Sequence, residues 1–173
     1  MFGSKACCFT GHRPQNLPFR FNEQDVRCIS LKQMLRREIE RQITDCGVTH
    51  FISGMAIGVD MYAAEIVLDL KKRYPQITLE AAIPCETQAA KWSSALRDRY
   101  FRIAELCDKE TMLQRHYDAE CMQKRNRYMV DNSSVVIAVW DGTPSGTGKT
   151  VQYARDMGKA LILIDPKTMR IFK

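Results

Sequence analysis

Along this chain, short apolar runs repeatedly end in glycine-bearing turns that open onto amphipathic segments of helical length. That alternation constrains the fold more than any other feature. A strand followed by a helix before the next strand returns pairs in parallel, which predicts an α/β architecture built on an open, mostly parallel sheet with helices on both faces. The first strand is Ala6–Phe9. A helix is expected from about Asn22 to Asp45, capped by Asn22 with Asp25 in its first turn. Val26, Ile29, Met34, Leu35, Ile39 and Ile43 form its apolar stripe, and Gly47 stops it. His50–Ser53 is the second strand, followed by a helix from about Gly58 to Arg73. Ile77–Ile83 is the third strand, stopped by Pro84. Glu86–Leu106 reads as largely helical, Lys109–Leu113 as a short strand, and Asp118–Asp131 as a helix. Ser134–Trp140 is the clearest buried strand. A glycine-rich turn then leads into a helix ending near Gly158, and Ala160–Ile164 is the last core strand. The tail beyond Pro166 is an edge strand or loose.

With 173 residues, 45% of them hydrophobic, the chain suits one domain with a real core, spanning residues 1–173. No stretch approaches the roughly 20 apolar residues of a membrane helix. Met1–Lys5 carries no signal-peptide pattern, so a cytoplasmic location without membrane contact is the expectation. The seven cysteines are odd in number and include no Cys-x-x-Cys pair. They read as reduced thiols acting as small hydrophobes, and no metal site is expected. The net charge of +6 is compatible with nucleotide, nucleic-acid or acidic partners.

Three strand exits carry the chemistry. The first is Thr10-Gly11-His12-Arg13-Pro14, which aims polar groups out of the carboxyl edge of the sheet, where open α/β sheets bind ligands. Gly11 permits close backbone approach, and Arg13 offers a planar fork of donors for phosphate or carboxylate. The second is Ser53-Gly54-Met55-Ala56-Ile57-Gly58-Val59-Asp60, a turn into a helix whose N–H groups and dipole suit an anion. It is not the Gly-x-Gly-x-x-Gly fingerprint. Asp60 either satisfies the helix dipole or accepts hydroxyl hydrogen bonds from a ribose. The third is Asp141-Gly142-Thr143-Pro144-Ser145-Gly146-Thr147-Gly148-Lys149-Thr150. It ends like a P-loop, but Thr143 stands where that loop needs glycine, so a P-loop ATPase is rejected. Gly146, Thr147 and Gly148 still form a nest of N–H donors at a helix start, with Lys149 and Thr150 in its first turn. Asn126, followed by apolar Met129 and Val130, reads as pointing inward, with Arg127 beside it. Glu86 follows the third strand, and Trp92 either covers a base or fills the core. His50 and His116 show no partner.

These segments, in this order, resemble the YpsA-like family of the SLOG superfamily, the DprA- and LOG-type proteins. The resemblance covers nearly the whole chain. It rests on Cys8-Phe9-Thr10-Gly11-His12-Arg13-Pro14, Ser53 to Asp60, Pro84 with Glu86 and Trp92, Asn126-Arg127, and Gly146 to Thr150. It implies a Rossmann-like fold with a carboxyl-edge pocket for a nucleotide or nucleotide-derived ligand such as NAD or ADP-ribose. The LOG branch implies a phosphoribohydrolase with the signature Pro-Gly-Gly-x-Gly-Thr-x-x-Glu. Laid from Pro144, that signature meets Ser145, Lys149 and Gln152, and a neutral Gln cannot act as the carboxylate. The DprA branch implies single-stranded DNA binding, and matches Ser53–Asp60 and Arg125–Arg127.

The leading expectation is a nucleotide-ligand sensor or regulatory module. Its phosphates would rest on Gly54–Gly58 and Gly146–Gly148, with Arg13 and Arg127 adding charge. A nucleotide N-glycosidase, with His12, Glu65, Glu86 and Asp60 as candidate acid/base groups, comes second. A single-stranded DNA binder comes third. A homodimer through the Asn22–Asp45 helix is weighed against burial of that helix on its own sheet.

Overall fold

The computed structural model describes residues 5–173. Residues Met1–Ser4, on which the signal-peptide reading partly rests, lie outside the described residues. The strands are β1 (Lys5–Gly11), β2 (Val48–Ser53), β3 (Thr78–Ile83), β4 (Lys109–Met112), β5 (Val135–Val139), β6 (Ala160–Ile164) and β7 (Ile171–Phe172). The helices are α1 (Val26–Thr44), α2 (Val59–Lys71), α3 (Ser94–Leu106), α4 (Cys121–Asp131) and α5 (Gly146–Asp156). They build a seven-stranded sheet in the order β4-β3-β2-β1-β5-β6-β7. Every neighbouring pair is parallel except β6 with β7, so the tail after Pro166 ends as an antiparallel edge strand. No helix among the described residues is long and apolar enough to cross a membrane.

The pleat sorts the core into two layers, because successive side chains of a strand point to opposite faces. Cys7 and Phe9 of β1, Phe51 of β2, Leu79 and Ala81 of β3 and Ile137 of β5 face α1, α2 and α3. Cys8, Ile52, Ala82 and Val136 face α4 and α5, where Met129, Val130 and Ala154 cover them. Phe9 and Phe51 stack across the β1–β2 pair with ring centroids 6.0 Å apart. Leu31, Leu35 and Ile39 of α1 are fully buried. Burial of each such side chain contributes about 1.5–3 kcal/mol. So α1 lays most of its stripe on its own sheet, although Val26 and Ile29 at its start stay exposed.

Two helix starts differ from expectation. α1 begins later, capped by Asp25, whose Oδ1 accepts the Arg27 N–H at 2.9 Å. Asn22 instead closes a local turn onto the Gln24 N–H. α3 begins only at Ser94, because the Ser93 hydroxyl oxygen caps it by accepting the Leu96 N–H. The preceding residues 84–93 run as turns that pack Ala89 into the core and lay Trp92 against it.

One buried acid braces the α4 face. Glu80 of β3 accepts from His50 Nε2 at 2.6 Å, from the Tyr128 hydroxyl at 2.5 Å and from the Thr111 hydroxyl at 2.7 Å. Burial alone would raise its pKa, but these donors hold the carboxyl at about 2. His50, which showed no partner in sequence, is thus a strut linking β2 to β3. The cysteines are all unpaired thiols, and burial pushes Cys8 up to about 12.

Candidate functional site

β1 has β2 on one side and β5 on the other: the chain winds outward from β1 through β2, β3 and β4 and then returns to the other side of β1 at β5, with α1, α2 and α3 on one face and α4 and α5 on the other. This is the topological switch point, where the loops beyond the carboxyl ends part and leave a crevice. A cleft of about 250 Å³ opens there. It brings together Thr10, Gly11, His12, Arg13, Asp60, Asn126, Gly146 and Thr147 of the predicted residues, and adds Gln123, Arg125 and Ser145. A neighbouring recess of about 290 Å³ shares Gln123 and Asn126 with it and holds Arg127, Lys149, Thr150 and Tyr153.

Neither recess is lined by Gly54, Gly58, Asp141 or Gly148, nor by Glu65, Glu86 or Trp92. Glu65 is exposed on α2 and pairs with Arg99 at 2.5 Å. Glu86 is exposed and faces Arg115 at 3.4 Å. Trp92 packs edge-to-face on Tyr100, 5.4 Å between centroids. Trp92 and Glu86 are displaced because the helix expected to carry them starts only after Ser93. Glu65 is displaced because its helical phase turns it outward, beside exposed Asp69.

Gly11, Gly54, Gly58 and Gly148 all stand at closely packed positions. A Cβ on Gly11 would lie 2.6 Å from Val59, and one on Gly148 would lie 3.1 Å from Trp140. Gly58 precedes α2 at φ +97, a left-handed conformation that suits glycine.

The exit from β2 is filled from within. Ser53 Oγ accepts the Met55 N–H at 3.2 Å and donates to the Asp60 carbonyl at 2.8 Å. The Ala56 N–H goes to Asp60 Oδ2 at 3.3 Å. Met55 is fully buried at φ +58, a strained conformation for a side chain of this size. Asp60 therefore turns back over the positive end of α2 and occupies the place expected for a phosphate. Burial pushes its carboxyl up, while Arg125, the Ala56 N–H and Arg13 act against that rise.

Arg125, named in sequence only as part of Arg125–Arg127 and not among the candidate site residues, is buried at the cleft. It is 4% exposed. Its Nη1 donates to the Gly54 carbonyl and to Gln88 Oε1 at 3.2 Å, and its Nε donates to Asn126 Oδ1 at 2.9 Å. Asn126, expected to point inward, is half-buried and acts as Arg125's acceptor. The signal was available in the spacing: Cys121, Arg125 and Met129 recur every four residues on one helix face, and all three are buried.

The exit from β5 is open. Ser145 caps α5, its Oγ accepting the Gly148 N–H at 3.1 Å. The N–H groups of Gly146 and Thr147 find no partner among the described residues, and both residues line the cleft. Arg13 is exposed and lines the same cleft, with no ion pair among the described residues. Unsatisfied N–H groups at a helix start and a guanidinium in one cleft make a seat for an anion. Asp141 braces this loop. Burial alone would raise its pKa, yet hydrogen bonds from Thr143, Lys167 and His12 hold the carboxyl well below the usual carboxylate range. His12 Nε2 meets Asp141 Oδ1 at 2.8 Å, and Lys167 meets Oδ2 at 3.0 Å. Gln152 is exposed and bonds to Asp156 at 2.9 Å, away from the cleft.

Comparison with known proteins bears on the family and the fold. The family model named YpsA, described as the YspA SLOG family, matches residues 7–167. The chain is 33% identical over 139 residues to the SPbeta prophage-derived protein YoqJ of Bacillus subtilis, covering 73% of this chain and 81% of that one. Two solved structures share the fold. DNA processing protein A of Streptococcus pneumoniae superposes with a TM-score of 0.63 at 16% identity, over 94% of this chain and 50% of that one. The Helicobacter pylori protein of the same name gives 0.60 at 19%, over 93% and 65%. With the family model spanning nearly all of the chain, this protein belongs to the YspA SLOG family.

Proposed function

We propose that the carboxyl-edge cleft binds the phosphate of a nucleotide or nucleotide-derived ligand, and that the protein works as a binding or sensing module. The observation that carries this reading is the open start of α5, with the unpartnered Gly146 and Thr147 N–H groups lining the same cleft as Arg13. The helix start supplies directed donors and a partial positive charge, and Arg13 adds a fixed one. The phosphate seat is thus the β5 exit alone, because the β2 exit already holds a carboxylate.

Binding is favoured over hydrolysis. Of the acid/base candidates, His12 and Asp60 line the cleft and Glu65 and Glu86 do not. His12 Nε2 is engaged with Asp141, Asp60 Oδ2 accepts the Ala56 N–H, and Gln152, which takes the place of the signature's carboxylate in sequence, bonds to Asp156 away from the cleft. The DNA reading has a structural neighbour in the Helicobacter pylori protein, which has a single-stranded DNA binding mode. This cleft, however, has no Phe, Tyr or Trp among its lining residues on which bases could stack.

The test is a thermal-shift panel of AMP, ADP, ATP, GTP, NAD, ADP-ribose and a short single-stranded DNA. A ligand at a hundred times its dissociation constant adds about 2.7 kcal/mol. A shift with a phosphate-bearing nucleotide, removed in the Arg13→Ala variant, is expected. A shift with DNA alone, falling steeply with salt, would replace this reading with a nucleic-acid one. No shift at all would overturn both.

A further inference from the structure

Two buried charges stand at the floor of the cleft without meeting. Asp60 is 7% exposed and Arg125 4%. They flank Gly54 so closely that a Cβ there would lie 2.8 Å from both Asp60 Oδ2 and Arg125 Cζ. Yet the two form no direct ion pair among the described residues. Asp60 Oδ2 accepts one N–H, from Ala56, and Oδ1 accepts none among the described residues. Arg125 commits Nη1 and Nε to neighbours, while among the described residues Nη2 meets only the Met122 sulfur at 3.7 Å. A buried carboxylate and a buried guanidinium left this short of partners cost folding free energy. Both line the cleft, so a ligand can complete them.

What completes them is set by chemistry. A phosphate has no proton to donate at neutral pH, so the open oxygen of Asp60 needs a hydroxyl or an amine. The open Nη2 of Arg125 needs an acceptor beside it. At about 250 Å³ the cleft is smaller than the roughly 300–1,000 Å³ of whole-ligand sites, so it holds part of a ligand. With no aromatic face for a base, and with the phosphate seat at the start of α5, the part within reach is the group next to the phosphate. In a nucleotide that group is the sugar.

We propose that Asp60 and Arg125 read the vicinal diol of a ribose, so that the cleft takes ribose-bearing phosphates in preference to 2-deoxyribose-bearing ones. This rests on the nucleotide reading above and narrows it. Each hydroxyl of a diol both donates and accepts, which matches an acceptor set beside a donor.

The experiment is calorimetric titration of the wild-type protein with ribose 5-phosphate against 2-deoxyribose 5-phosphate, and with each ribonucleoside monophosphate against its deoxy counterpart. Hydrogen bonds to charged groups predict that the ribose form binds about tenfold or more tighter. In Asp60→Asn that ratio falls towards one. In Arg13→Ala both forms weaken together and the ratio persists, since Arg13 touches the phosphate end. Equal binding of the two sugars by the wild type, or a ratio unchanged in Asp60→Asn, overturns this inference and leaves the nucleotide reading intact. No binding of any phosphate probe overturns both. Because the wild-type ratio needs no variant, instability of Asp60→Asn does not remove the test.

Discussion

The exits from β2 and β5 are built from similar small residues, yet they do opposite things. Ser53–Asp60 folds onto itself: a serine and an aspartate absorb the free N–H groups, and a buried arginine takes the Gly54 carbonyl. Ser145–Gly148 uses one serine for one N–H and leaves those of Gly146 and Thr147 open. The difference lies in the helix that each turn opens. Asp60 stands in the first turn of α2 and swings back over its start, whereas the first turn of α5 carries no acid. A glycine-rich helix start is an anion seat only when its own chain supplies no anion.

The largest effect should come from unbalancing the closed exit. Arg125→Met removes the cation above Gly54 and leaves Asp60 buried alone, which should cost about 3–5 kcal/mol in urea unfolding. A cost below about 1 kcal/mol would mean that the pair does not hold this loop. One glycine from each exit sharpens the contrast. Gly54→Ala places a Cβ 2.8 Å from both charged groups and should cost about 1–3 kcal/mol through overpacking. Gly146→Ala meets nothing nearer than Gln123 Nε2 at 3.9 Å and should stay within about 0.5 kcal/mol. Similar losses at the two sites would erase the distinction.

The finest contrast is in pH. The Asp141 carboxyl is held below its ordinary 3.8, so its contribution is fully present above pH 3.8 and is lost on further acidification. The Asp60 carboxyl is raised above 3.8, so acidification towards that value relieves the burial of its charge and adds stability. Asp141→Asn should therefore flatten the acid limb of the stability curve below pH 3.8. Asp60→Asn should remove a small gain on the way down to it. Chemical denaturation at several pH values reads both, and changes of slope from the wild type that have the same sign in the two variants would contradict the assignment.

Much of the fold was legible because strand and helix periods differ and glycine and proline punctuate them. Gly47 and Gly158 end helices at positive φ, as their positions suggested. The start of α3 was not legible. Glu86–Lys91 is rich in helix-favouring residues, and only the Ser93 cap and the packing of Ala89 and Trp92 turn it away from helix. Within the site, the residues of the β1 and β5 exits could be read locally because they sit at strand ends. The burial of Arg125 could be read from its spacing with Cys121 and Met129, but its role could not, because the carbonyl it holds is 71 residues away in sequence. Asp60 was seen, but whether it accompanies a ligand or replaces one depends on where its side chain turns.

His12 and Asp141 lie 129 residues apart in the chain and are joined across the β1–β5 pair. Closing a loop of that length comes late, since its entropy is lost before any contact across it is gained. A nascent chain can assemble β1, β2 and β3 with their helices and still have no cleft. Binding competence then arrives in one step, when β5 docks against β1. A ligand held across that seam would slow the separation of the two halves, making the lifetime of the native state a direct readout of occupancy.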